Sequence, residues 1–358
     1  MNLQEMSTSD LKALKHNLEK KVDAHDNEQM AFKILINSAY GAIGSPYFRF
    51  FNVVQASAIT ISGQTTIRTA EKALNTYLSS LLGEKDRVCA IDTDSTYLIL
   101  DDLVDKVCPD ATTEEQVEFV DKVCQTKLSK VIDNAYEELY RDTNSYFNRM
   151  RMKRENIGSA VFVQKKRYIM KVHDSEGVRY ASPKMKVMGL ESVRSTTPGF
   201  FRDKLKDVFS ELFEMDQEQM FDYIEQIKKE FMTLPVESMG SPIGVQNLGK
   251  YRNGTGTVPY NAKAALLYND KITELGLTSK YQHIKDGDKV KLLPLKTPNH
   301  FKAKYIAVES VLPEEFNLHR YVDKDAVFNK FFADPLQRVF DTFNWKTEET
   351  ASLDSFFG

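Results

Sequence analysis

The stretch Val88-Cys89-Ala90-Ile91-Asp92-Thr93-Asp94-Ser95-Thr96-Tyr97-Leu98-Ile99-Leu100 permits few local folds. Two apolar, partly β-branched runs flank four polar residues, the pattern of a strand, a tight turn and a returning strand. Asp92 and Asp94 stand two apart, so on extended backbone both carboxylates leave one face, close enough to share a cation. Asp, Thr and Ser are also ordinary turn residues, so the pair alone leaves a plain hairpin and a divalent-metal site as alternatives.

A chain of 358 residues can bury a sizeable core and divide into two or three structural units. Its 42% hydrophobic and 28% charged content is that of a soluble globular protein. No apolar run approaches the ~20 residues of a membrane span, and Met1-Asn2-Leu3-Gln4-Glu5 lacks a signal-peptide pattern, so no membrane and a cytoplasmic setting are expected. Cys89, Cys108 and Cys124 are odd in number and far apart, and the six histidines are scattered, which suggests neither a disulfide framework nor a Cys/His zinc site.

The net charge of -3 conceals segregation. Residues 151–186 carry ten cations against three acids, with Tyr168, Tyr180 and Met185 interleaved as on a phosphate-binding strand surface. Residues 101–123 carry eight acids against two lysines, which a solvated helix face explains.

Ser7, Thr8, Ser9 and Asp10 offer N-caps to an amphipathic helix with Leu11, Leu14, Leu18 and Val22 at spacings of three and four. The helix runs to about Tyr40, with room for a break at His25-Asp26-Asn27. Its apolar stripe is narrow, like half of a helical hairpin, and its partner helix is expected from another polypeptide. On a 3.6-residue period Lys33, Asn37, Tyr40 and Gly41 share one face. That strip reads either as a helix closed by a C-cap glycine or as a surface holding a phosphate and a base pair.

A second helix is expected over Asn52–Leu82, ended by Gly83, its small apolar first half suited to packing on a sheet. Further helices are expected over Thr113–Tyr140 and about 199–214, 216–232 and 261–275, with aromatic-rich helices closing at Phe343. Lys165–Val172 alternates as a strand, with a turn at 173–177 and a return through Val178-Arg179-Tyr180. Lys184 and Lys186 fall on one side if extended, and a strand pair is expected around Asp288–Leu295 and Ala303–Val308.

With Lys33-x-x-x-Asn37-Ser38-x-Tyr40-Gly41, Asp92-Thr93-Asp94-Ser95, Lys165-Lys166-Arg167-Tyr168 and Lys184-x-Lys186-x-Met188-Gly189-Leu190-Glu191 in that order, the chain resembles a B-family DNA polymerase. The resemblance is to the replicative polymerases of T-even-type bacteriophages and covers nearly the whole chain. It implies an α+β fold with an antiparallel palm sheet backed by helices, a helical fingers segment and a mostly helical thumb. The implied parts are 1–45 (second half of the fingers hairpin), 46–198 (palm), 199–345 (thumb) and 346–358 (a clamp-binding tail).

The resemblance further implies that Lys33 and Asn37 contact a dNTP triphosphate, and that Tyr40 and Gly41 border the nascent base pair. Asp92 and Asp94 would hold two Mg²⁺ ions, Glu155 would lie near them, and Lys33 would offset leaving-group charge. Primer-template DNA would meet Lys165, Lys166, Arg167, Tyr168, Lys184 and Lys186, with Lys250, Arg252 and Lys263 gripping the duplex from the thumb, where an ordinary exposed loop is the alternative. Leu353, Phe356 and Phe357 would dock a sliding clamp or fold back onto the thumb. Ala90-Ile91 stands where the family usually has Tyr-Gly, and Ile91 prefers extended backbone, so the turn is set differently.

No 3′-5′ exonuclease and no Asp-containing Ser-Leu-Tyr-Pro motif appears in the sequence. The resemblance therefore implies the C-terminal half of a split polymerase, completed by an N-terminal chain in an infected bacterial cytoplasm. Two rivals come from other classes: a nucleotide-sugar glycosyltransferase with a D-x-D site, and a non-catalytic DNA-binding or processivity subunit.

Overall fold

The structure is a computed structural model that describes residues 6–253 and 257–347. The chain divides into two compact units: one comprises 1–110 and 122–153, the other 111–121 and 154–358.

In the first unit, α1 (Thr8–Ile43) is capped by the Ser7 side chain, which accepts from the Asp10 N–H. It continues unbroken through His25–Asn27 and past Gly41 to Gly44, so Gly41 is a helical residue rather than the cap. None of its residues is buried. In α2 (Val53–Leu82) the Asn52 side chain caps the start and Gly83, at φ 88°, ends the helix in a conformation that favours glycine. The small apolar first half of α2 does not pack on a sheet as expected: Val53, Val54, Ile59 and Ile61 are exposed. The core contacts come from its second half, where Ala70, Leu74 and Leu78 pack with Leu128, Ile132 and Tyr136.

The antiparallel hairpin β1 (Val88–Asp92) and β2 (Ser95–Leu98) follows, then the short α3 (Asp101–Val107). The helix expected over Thr113–Tyr140 is α4 (Thr113–Val123) and α5 (Ser129–Asp142), joined by a π-turn at Cys124–Leu128. Such a turn adds a residue and rotates the apolar stripe.

The second unit carries a sheet of β3 (Asn156–Gln164), β4 (Arg167–Ser175) and β5 (Val178–Met188), antiparallel in that order. Val161, Val163, Ile169, Met185 and Val187 point to the main core. That core is shared with α6 (Gly199–Glu211), α7 (Gln217–Thr233, with an Asp216/Gln219 capping box), β6 (Ser241–Gly244), α8 (Leu248–Asn253) and α9 (Tyr260–Glu274). β7 (Lys289–Pro294) and β8 (Tyr305–Val308) complete the antiparallel β6-β7-β8 sheet.

The closing segment is α10 (Lys324–Phe328), a π-turn at Asn329–Ala333 and α11 (Asp334–Phe340). Phe201, Phe231, Phe328 and Phe332 form an aromatic cluster with ring centres 4.7–6.0 Å apart. The fold is thus α+β, with antiparallel pairing among the described residues spread over three small sheets. Among the described residues no helix is long and apolar enough to cross a membrane.

Candidate functional site

In the first unit, Asp92 closes β1 and pairs with Ser95, leaving Thr93 and Asp94 as a two-residue loop. Thr93 sits at φ 58° and Asp94 donates its N–H to the Asp92 carbonyl oxygen at 2.6 Å. The left-handed residue means that the extended-backbone argument for a shared face does not apply here. Proximity comes from the turn instead. Asp94 is exposed and Asp92 half-buried, with the Thr93 hydroxyl donating to the Asp92 carboxylate at 3.2 Å.

Hard oxygen donors in such a turn suit Mg²⁺, which takes one or two carboxylates and fills the rest of its shell with water and substrate oxygens. Among the described residues no group of three or more His, Cys, Asp or Glu side chains could hold a metal ion, so no third such side chain joins Asp92 and Asp94.

The root of the hairpin is held by Arg87, which is 2% exposed. Its guanidinium donates to the carbonyls of Gly83 and Lys85 and to the Asp102 carboxylate at 3.0–3.3 Å. Asn75 of α2 accepts from the Arg87 N–H at 2.8 Å, and Asp86 accepts from Asn75 and from the Val88 N–H. Lys85 first, and then Arg87, hold the Asp102 carboxyl below the usual range against the opposing effect of desolvation.

Lys33, Asn37, Tyr40 and Gly41 are all exposed along α1, and a Cβ at Gly41 would meet nothing within 4 Å. Tyr40 lies 2.8 Å from Thr60 of α2, and the Thr60 hydroxyl donates to Ala56, so Tyr40 is the donor of that pair. α1 packs against α2, and α2 against β1 and β2.

In the second unit, Lys165 and Lys166 form the β3–β4 turn instead of opening a strand, with Lys166 at φ 63°. Gly189, at φ 67°, comes so close to the Lys166 carbonyl that a Cβ could not be accommodated. Tyr168 is 5% exposed and its ring centre lies 5.1 Å from that of Phe162. Lys184 and Lys186 do share one side of β5, opposite Met185 and Val187. They line an open groove of about 320 Å³ with Glu155, Glu176 and Tyr180. Glu155 therefore belongs to a different compact unit from Asp92 and Asp94.

One arrangement went unread in the sequence. Asp174 is 1% exposed and receives Arg154, Arg179 at 3.1 Å and the Gly177 N–H at 3.0 Å. Arg154 also donates to Asp121 at 2.6 and 3.0 Å. Burial opposes its charge, yet hydrogen bonds to Asp121 and Asp174 hold its pKa above the ordinary value. The available signal was Asp174-Ser175-Glu176-Gly177, a turn sequence set inside the basic block.

Lys250 and Lys263 are exposed, whereas Arg252 is paired with Asp270 at 2.6 Å. Leu353, Phe356 and Phe357, and the loop at 254–256, lie outside the described residues.

The chain belongs to DNA polymerase family B, whose family model matches residues 5–248. It is 32% identical to a DNA-directed DNA polymerase of Enterobacteria phage T4, an alignment covering 99% of this chain and 41% of that protein. To a DNA-directed DNA polymerase of Escherichia phage RB69 it is 31% identical, over 92% of this chain and 38% of that protein. The chain thus spans about two fifths of the length of these relatives.

Proposed function

We propose that this chain carries the nucleotide-adding part of a template-directed DNA polymerase and works with a second polypeptide. The observation that carries this reading is the carboxylate pair at the β1–β2 turn, Asp94 exposed and Asp92 half-buried, inside a segment matched by the family B model.

Asp94 and Asp92, with a third carboxylate from the second chain, would hold Mg²⁺ ions, which when bound lower the pKa of a primer 3′-hydroxyl and neutralise the triphosphate. Lys33 and Asn37 reach a triphosphate from the open side of α1, an ammonium and an amide one helical turn apart. Lys33 there balances charge that grows on departing pyrophosphate. Gly41 leaves room for a base pair beside Tyr40. Lys165, Lys166, Arg167, Lys184 and Lys186 meet the phosphates of the primer-template, with Tyr168 of β4 on the same sheet face as Lys184 and Lys186.

The second chain is supported by the uncovered surface of α1, which exposes Phe32, Ile34, Leu35 and Ile36, the last two at 67% and 70%. A run of that kind is an uncovered interface. The tail bearing Leu353, Phe356 and Phe357 would dock a sliding clamp, and the setting would be a phage-infected bacterium.

The test is Mg²⁺-dependent extension of a primer by this chain, alone and with the complementary portion of a family B polymerase. Extension only when both are present is expected. Robust extension by this chain alone overturns the need for a partner, and absence of extension in the complemented mixture, with DNA still bound, favours a non-catalytic DNA-binding subunit.

A further inference from the structure

The β4–β5 hairpin is regular only at its ends. Asp174 pairs with Arg179 and Ser175 with Val178 beside the turn, whereas the ladder resumes at Val172 and Lys184. Between these points β4 contributes His173 alone, while β5 contributes the four residues 180–183. Such an excess bulges outward and leaves its side chains without ladder partners to fix them.

Lys184 nevertheless has a defined place. Its ammonium lies 4.1 Å from the centre of the Tyr180 ring, across the bulge. Cation–π attraction at this distance orients the lysine only if the ring itself is held.

Tyr180 adjoins Arg179, whose guanidinium is fixed by the buried Asp174. The same carboxylate takes the Gly177 N–H, closing the Glu176-Gly177 turn in which both residues have positive φ. Through Arg154, which donates to the Glu155 carbonyl at 3.2 Å, it also holds Glu155 next to Glu176, whose N–H bonds the same carbonyl. One buried carboxylate thus sets both acidic walls of the groove and the aromatic seat of its nearer lysine.

We infer that Asp174 is a positioning residue that shapes the groove on β5 to seat a phosphodiester of the DNA at Lys184 and Lys186. The glutamates on the facing rim repel phosphate, so the backbone is confined to the lysine side. This inference rests on the proposed reading that β5 meets DNA.

The test is primer-template binding by the full chain across a range of salt concentrations. Replacing both lysines (Lys184→Ala with Lys186→Ala) is expected to weaken binding roughly tenfold and to make the salt slope shallower by about 1 to 2. Asp174→Asn keeps size but not charge, and is expected to give a shallower slope in the same direction. Combined with the lysine changes, it should add no further loss of affinity.

Arg179→Gln removes only the exposed arm of the network and is expected to act likewise but more weakly; thermal melting of each variant shows which ones fold. If Asp174→Asn does not fold, Arg179→Gln decides. Parental slope and affinity in a folded Asp174→Asn or Arg179→Gln, or a fully additive loss in the combined variant, overturns the inference while leaving β5 a DNA surface. Parental binding by the double-lysine variant overturns the DNA reading of β5 itself.

Discussion

Asp94 donates its backbone N–H to the Asp92 carbonyl oxygen over 2.6 Å, so the two acids of the β1–β2 loop are joined by a backbone hydrogen bond. Asn fits this turn as well as Asp does and removes only the charge. Asp94→Asn is therefore expected to abolish nucleotide addition, by about a thousandfold or more, with primer-template affinity retained. Single-turnover incorporation beside a binding isotherm checks it, and near-normal incorporation places the metal elsewhere.

Thr93 carries a β-branched side chain at φ 58°, a conformation that costs roughly 1 kcal/mol or more. Thr93→Gly is expected to raise the stability of the chain by about 1 kcal/mol in denaturant melts. A loss instead would mean that the Thr93–Asp92 hydrogen bond outweighs the backbone strain.

Gly189 admits no Cβ against the Lys166 carbonyl. Gly189→Ala must move the β3–β4 turn and its two lysines. The expected result is weaker primer-template binding with a shallower salt dependence, in a protein whose helices still melt cooperatively. Unchanged DNA binding would show that Lys165 and Lys166 lie off the DNA path.

Arg87 is enclosed, and its loss strands the carbonyls of Gly83 and Lys85 at the end of α2. Arg87→Met, which fills much of the same space, is expected to cost about 2 kcal/mol or more of stability in chemical denaturation. It should also lower nucleotide addition, because β1 hangs from that corner. A stability change within about 0.5 kcal/mol would make the arginine dispensable.

His173 has its pKa lowered from 6.5, chiefly by burial and then by Lys171 and Arg179. The folded chain therefore binds this proton less readily than the unfolded chain does. Its contribution to stability is whole above pH 6.5 and declines as the pH falls through 6.5 toward the folded value. His173→Gln should flatten the stability profile between about pH 7 and 5. An unaltered profile would assign that slope to other groups.

Local chemistry made much of the fold readable. Ser7, Asn52 and Gly83 mark helix ends because each satisfies a terminal backbone group or a special dihedral within a few residues. The Asp92–Ser95 turn was equally local. β3 went unseen because Gly158, Ser159 and Ala160 lack strand character; Gly158 is there since a Cβ would strike the Lys171 backbone of the next strand. The exposure of the first half of α2 and the burial of Asp174 are also long-range outcomes. Periodicity names an apolar face but not what covers it, and a carboxylate gives no sign of which distant guanidinium will reach it.

Because α1 has no buried residue along its 36 positions, its far end is restrained by little beyond the stiffness of the helix. A rod of that length spans about 54 Å, so a tilt of 10° at its root sweeps the tip through roughly 9 Å. Lys33, three turns from the root, would travel only a small part of that arc. On this lever geometry a large excursion at Thr8 would become a fine adjustment at the Lys33 ammonium.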